Sequence, residues 1–161
     1  MQELPHTHLC FVCGESNPLG LKLRFHTDGR VVTTRFPPPP EHIGFKGVVH
    51  GGLIATVLDE IMVWACAVQT RRFAFCAELT VRFASSLEPN GEALVSAELV
   101  ANRRDKIFEA KAQMSDGTGR LLASAVGKYV PIAKGAALDM VADVVGDPSW
   151  VFGADQGGVA A

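Results

Sequence analysis

From Leu53 to Val68 the chain is apolar at almost every position, interrupted only by Thr56, Asp59 and Glu60. A run of that length with no polar face predicts a helix buried on all sides, from about Gly51 to Gln69. On either side of it the period drops to two. Leu21, Leu23 and Phe25 alternate with Lys22 and Arg24, so residues 20–25 are expected as a strand; Asp28-Gly29 is a hairpin turn, and Arg30 to Phe36 is the return strand. Pro37 to Pro40 forbid helix and central strand alike and form an extended connector. Beyond Arg71-Arg72, four more strands are expected, over 75–83, 92–103, 106–115 and 121–130. Turns at Pro89-Asn90-Gly91 and at Asp116 to Gly119 separate them.

A hairpin, one long buried helix and an antiparallel meander define an α+β architecture, with the sheet packed on a single helix. Past Ile132 the pattern weakens to a short helix over 136–145 and a Gly-rich stretch, 153–161, expected to be disordered. The expected organisation is an N-terminal segment, 1–19, one domain, 20–132, and a partly disordered C-terminal tail, 133–161.

Composition narrows the function classes. The 161 residues are 48% hydrophobic and 20% charged, with a formal net charge of -2. Scattered basic residues give no footprint for nucleic acid. The apolar run reads as too short and too polar for a membrane span. Glu3, Pro5, His6 and His8 replace the basic start and apolar block of a signal peptide, so a cytoplasmic protein is expected. In that compartment Cys10, Cys13, Cys66 and Cys76 are expected as free thiols. His6, His8, Cys10 and Cys13 have the look of zinc ligands, but a chelating Cys-x-x-Cys usually needs a second, distant pair. The reading adopted is a structural turn with buried thiols and no metal.

The candidate chemistry lies where the helix begins. Gly51 and Gly52 place backbone N–H groups without partners at a helix N-terminus, where the dipole favours negative charge and missing side chains permit close approach. Two turns on, Asp59 and Glu60 lie in apolar surroundings, where an ionised carboxylate costs several kcal/mol unless paired. They point about 100° apart around the helix.

Gly47-Val48-Val49-His50-Gly51-Gly52, Asp59 eight residues beyond Gly51, Phe75 to Phe83, and Cys10 to Leu21 together resemble the hotdog-fold acyl-CoA thioesterases of the phenylacetate-pathway, PaaI-like branch. The resemblance spans residues 10–131. It implies an antiparallel sheet wrapped around one central helix, and hydrolysis of an acyl-CoA to a carboxylate and free CoA, with no cofactor beyond the CoA of the substrate. It also implies that the Gly51 N–H polarises the thioester carbonyl while Asp59 activates water or attacks directly. Eight helical residues separate the two by about 12 Å, too far to share one carbonyl. The resemblance resolves this with a homodimer, paired further into a dimer of dimers, in which Asp59 of one subunit faces Gly51 of the other.

Other residues have secondary places in this expectation. Glu60 is the alternative acid. His50 is read first as the residue that shapes the helix start and second as a base. His42 is either a loop histidine or a residue positioning water or substrate, and Gly52 offers a second N–H. Cys76 departs from the Ser or Thr that relatives carry near this position to hold water, and a thiol is a weak donor. Arg71, Arg72, Arg103 and Arg104 are candidate contacts for CoA phosphates. Phe45, Trp64, Phe73 and Phe75 line either the acyl pocket or the core. The rival readings are a hotdog hydratase or dehydratase acting on acyl thioesters, and a non-catalytic acyl-CoA-binding protein.

Overall fold

The computed structural model describes residues 1–152. In chain order it contains β1 (Gln2–Glu3), β2 (His6–Thr7), β3 (His26–Thr27), β4 (Val31–Phe36), β5 (Ile43–Phe45), β6 (Val48–Val49) and α1 (Gly51–Thr70). After the helix come β7 (Ala74–Phe83), β8 (Ala93–Arg103), β9 (Ile107–Asp116), β10 (Leu121–Pro131), α2 (Lys134–Val141), β11 (Val144–Val145) and a 3-10 turn at Pro148–Trp150. Seven strands form one sheet in the order β1-β3-β4-β8-β9-β10-β7. Every neighbouring pair in it is antiparallel.

α1 lies across this sheet and touches β4, β7, β8, β9 and β10. Ten of its residues are buried, including Ile54, Val57, Leu58, Ile61 and Trp64. At 20 residues it is long and apolar enough to cross a bilayer by length and composition, more than its interrupted sequence suggested. Its burial against the sheet explains that apolarity as a core requirement. The helix ends at Arg71, whose backbone is left-handed at φ 57° and whose N–H closes on the Ala67 carbonyl. The Trp64 ring packs against Phe25 and Phe73, and Phe73 packs against Phe152. Trp64 and Phe73 therefore belong to the core.

The four strands of the meander and the central helix lie where periodicity puts them. Residues 20–25 do not form the expected strand. Lys22 sits at φ 54°, which breaks the extended run, although Leu23 and Phe25 still point into the core. The segment instead hydrogen-bonds to the N-terminal loop, Leu21 N–H to Phe11 O and Leu23 N–H to Val12 O. The short β5–β6 hairpin, turning at Gly47 with φ 77°, has too few residues to show a period. The described part of the C-terminal tail is folded. β11 pairs with β2, and Val151 and Phe152 are buried. The expected disorder of 153–161 lies outside the described residues.

Candidate active site

His50 sets the geometry of the helix start. Its backbone is extended, at φ -61° and ψ 127°, and its Nδ1 accepts the Gly52 N–H at 2.8 Å. Its own N–H donates to the His42 carbonyl at 2.8 Å. A side chain on Gly52 would meet the imidazole at 2.8 to 2.9 Å, and one on Gly44 would meet it at 3.1 Å, so glycines on both sides make room for the ring. With Gly52 engaged by His50, the Gly51 N–H is the donor without a partner among the described residues. It borders a cleft of about 510 Å³ lined by Phe45, Val48, His50, Ile54 and Phe83. Phe83 packs on the bare face of Gly51. Phe45 is highly exposed at the cleft. His42 contributes its backbone here, while its Nδ1 is buried without a partner among the described residues.

Asp59 belongs to a second cluster. Tyr129 on β10 is fully buried, and its hydroxyl donates to Asp59 Oδ1 at 2.9 Å. The Tyr129 ring lies over Gly127, where a side chain would meet it at 2.6 to 2.9 Å. Cys76 on β7 is the third member. Glu78 pairs with Lys128 and Cys76 with Tyr129, so Ala77 is an extra residue on β7. Such a bulge re-aims the side chain beside it, and it turns Cys76, still largely open to solvent, to the side of Asp59 and Tyr129. Burial first, and then the Asp59 carboxylate, push that thiol up to about 11. Burial and Asp59 also hold the Tyr129 hydroxyl above its ordinary range, so it stays a donor.

Tyr129 is a site residue that the sequence reading missed. Its signal was Gly127-x-Tyr129, a glycine two positions from the only tyrosine in the chain, on one face of a strand.

Glu60 does not join Asp59. Its Oε1 accepts from Trp64 Nε1 at 3.0 Å and lies 3.5 Å from Cys10 Sγ and 3.6 Å from Cys13 Sγ. Desolvation pushes this carboxyl up to about 8. The arginines are also held elsewhere. Arg71 donates to Ser149 O and stacks over Trp150, and Arg72 donates to Ile132 O and Asp105 O. Both lie at the far end of α1, about 30 Å from Gly51 along the axis. Arg103 is paired with Glu109, and Arg104, at φ 57°, has no hydrogen bond among the described residues. Within one chain, none of the four arginines is brought to Gly51.

No protein-family model and no curated protein matches this sequence. Solved structures do match its shape. A thioesterase superfamily protein superposes with a TM-score of 0.70 at 21% identity, over 77% of this chain and 60% of that one. The Escherichia coli PaaI protein of the phenylacetic acid degradation operon gives 0.64 at 15% identity, over 70% of this chain and 81% of the other. A Streptococcus mutans protein solved with acetyl CoA bound gives 0.65 at 16% identity, over 78% and 97%. The chain has the hotdog fold that these proteins share. In its terms, α1 is the central helix of the hotdog and the β7–β10 sheet is its wrapping. The chain spans three fifths of the length of the first of these proteins.

Proposed function

We propose that this hotdog protein is an acyl-CoA thioesterase that releases a carboxylate and free CoA. The observation that carries the reading is the unpartnered Gly51 N–H bordering the cleft. A preorganised donor at a helix N-terminus is what a developing oxyanion needs. Asp59, aligned by Tyr129, is the base or nucleophile. The Streptococcus mutans neighbour solved with acetyl CoA supports a CoA thioester as the substrate class.

Gly51 and Asp59 are about 12 Å apart along one helix, so the reading requires a second subunit. β7 supports one. It is a ten-residue edge strand carrying exposed Phe75 and Phe83, and the adjoining β10 exposes Val126 and Val130. A long, apolar, unpaired edge is a template for a second copy. Two-fold pairing there sets two α1 helices antiparallel and gives two equivalent sites, each with Gly51 from one subunit and Asp59 from the other. The further assembly into a dimer of dimers is part of the same proposal.

Incubation with a panel of aliphatic and aromatic acyl-CoAs, with free thiol as the readout, tests the activity. Release that disappears in Asp59→Asn supports it. The engagement of His50 Nδ1 as a cap weighs against a hydratase that would use this histidine as its base. Cys76, in place of a hydroxyl that would hold water, favours one second reading: acyl-CoA binding without turnover. Saturable binding with no thiol released would establish that reading instead.

A further inference from the structure

The Cys-x-x-Cys at residues 10–13 has no role in thioester chemistry, yet its surroundings are specific. Cys10 Sγ accepts the Val12 N–H at 3.3 Å and the Cys13 N–H at 3.5 Å. Two N–H groups aimed at one sulfur favour its thiolate. Gly14 closes the turn with its N–H on Cys10 O at 2.9 Å, and a side chain there would collide with the Cys10 backbone. The loop is pinned from outside by Arg24, which donates to Cys13 O at 2.9 Å, and by the Leu21 and Leu23 bonds to it.

The third group is one that no local spacing reveals. Glu60, nearly fifty residues along the chain, brings Oε1 to 3.5 Å from Cys10 Sγ and 3.6 Å from Cys13 Sγ. The three ligand atoms lie within 4.8 Å of one another. A tetrahedral zinc ion about 2.3 Å from sulfur and about 2.0 Å from oxygen holds those atoms about 3.5 Å apart. The sulfur–oxygen separations are therefore already those of a coordination shell. The Trp64 indole N–H on Glu60 Oε1, at 3.0 Å, is the outer-shell donor that would orient the carboxylate. His6 and His8 are not part of the cluster, since both face Glu15.

We propose that Cys10, Cys13 and Glu60 form a site for a zinc-class divalent cation that clips the N-terminal loop to α1. Both thiols and the Glu60 carboxyl give up their protons to solvent as the two sulfur–metal bonds and the one oxygen–metal bond form. Water takes the fourth position. The clip fastens α1 at the residue next to Asp59, so the metal steadies the helix turn that carries the acid without touching the substrate. The thiol pair and carboxylate select zinc over magnesium or calcium, which prefer all-oxygen shells.

The test uses the full-length protein, reduced and stripped of metal, titrated with cobalt(II) and then with zinc. The expected result is one cobalt per chain with thiolate-to-metal charge-transfer absorption, which zinc abolishes. Cys10→Ser and Cys13→Ser should each lose this absorption. Trp64→Phe should retain the spectrum with about 10–100-fold weaker binding, and His6→Ala with His8→Ala should change nothing. The measurement on the unaltered chain stands even where a variant fails to fold. The proposal is overturned if the reduced protein gives no charge-transfer band, or if it binds no metal and forms a Cys10–Cys13 disulfide instead. It is also overturned if cobalt binding depends on the histidines rather than on Glu60, with Glu60→Gln leaving the affinity unchanged.

Discussion

Tyr129 holds Asp59: the buried phenol hydroxyl on β10 donates to the exposed-side carboxylate of the central helix at 2.9 Å. Tyr129→Phe removes that donor and leaves the ring in place. A hydrogen bond to a charged group contributes about 1.5–3 kcal/mol when well shielded, and Asp59 is only half buried, so about 1 kcal/mol of stability should be lost. If Tyr129 positions the acid, kcat for thioester hydrolysis should fall about tenfold while KM hardly moves. Steady-state kinetics alongside thermal denaturation separates this from a general loss of folded protein.

Gly127 is the condition for that contact. A methyl group there would sit 2.6 to 2.9 Å from the Tyr129 ring. Gly127→Ala should destabilise the protein by about 1–3 kcal/mol as the ring is driven out. Activity should drop with it, and the double variant with Tyr129→Phe should lose little more than Gly127→Ala alone, because a displaced ring has already given up the hydroxyl contact to Asp59. Denaturant unfolding of the three variants checks the non-additivity.

His50 caps α1 through Nδ1. His50→Ala should cost about 1 kcal/mol of stability. His50→Asn, whose side-chain oxygen can accept the same N–H, should recover most of it together with activity. An enzyme that used His50 to move a proton would not be rescued by asparagine.

Cys76 is predicted to remain a neutral thiol throughout the physiological range, since its pKa is raised to about 11. Alkylation by iodoacetamide should be slow at neutral pH and rise about tenfold per pH unit up to that value. The nearby carboxylate disfavours the thiolate, so Asp59→Asn should lower this pKa and speed alkylation. A hydroxyl in the same place is a better donor to water, and Cys76→Ser should raise kcat. Rate–pH profiles of alkylation and of hydrolysis measure these effects separately.

What was legible in the sequence follows from where the information resides. The central helix and the four meander strands are long enough for their periods of 3.6 and 2 to stand out, and their limits fall within a few residues of the observed ones. The hydrogen bond from the Gly52 N–H to His50 Nδ1 is local and was within reach of capping rules. The bulge at Ala77 was not, because it is a property of the β7–β10 register and not of either strand alone. Strict alternation would have turned Cys76 away from the helix face it shares with Asp59. Lys22 failed differently. A lysine carries no signal for a left-handed backbone, so the run around it still reads as a strand. Glu60 and Asp59 were separable by helical angle, but what each would meet depended on a strand and a loop far along the chain.

The central claim is that each site is built from two subunits, and complementation tests it most directly. Asp59→Asn removes the acid. Gly51→Pro removes the donor N–H at a position where proline suits the first turn of a helix, and His50 already has the extended backbone that must precede it. Each variant alone should be inactive. Unfolding and refolding the two together in equal amounts makes half the dimers mixed, each with one intact site of two, and should restore about a quarter of the unaltered thiol-release rate. A mixture no more active than its inactive parents, with mixed dimers shown to have formed, would contradict the shared site.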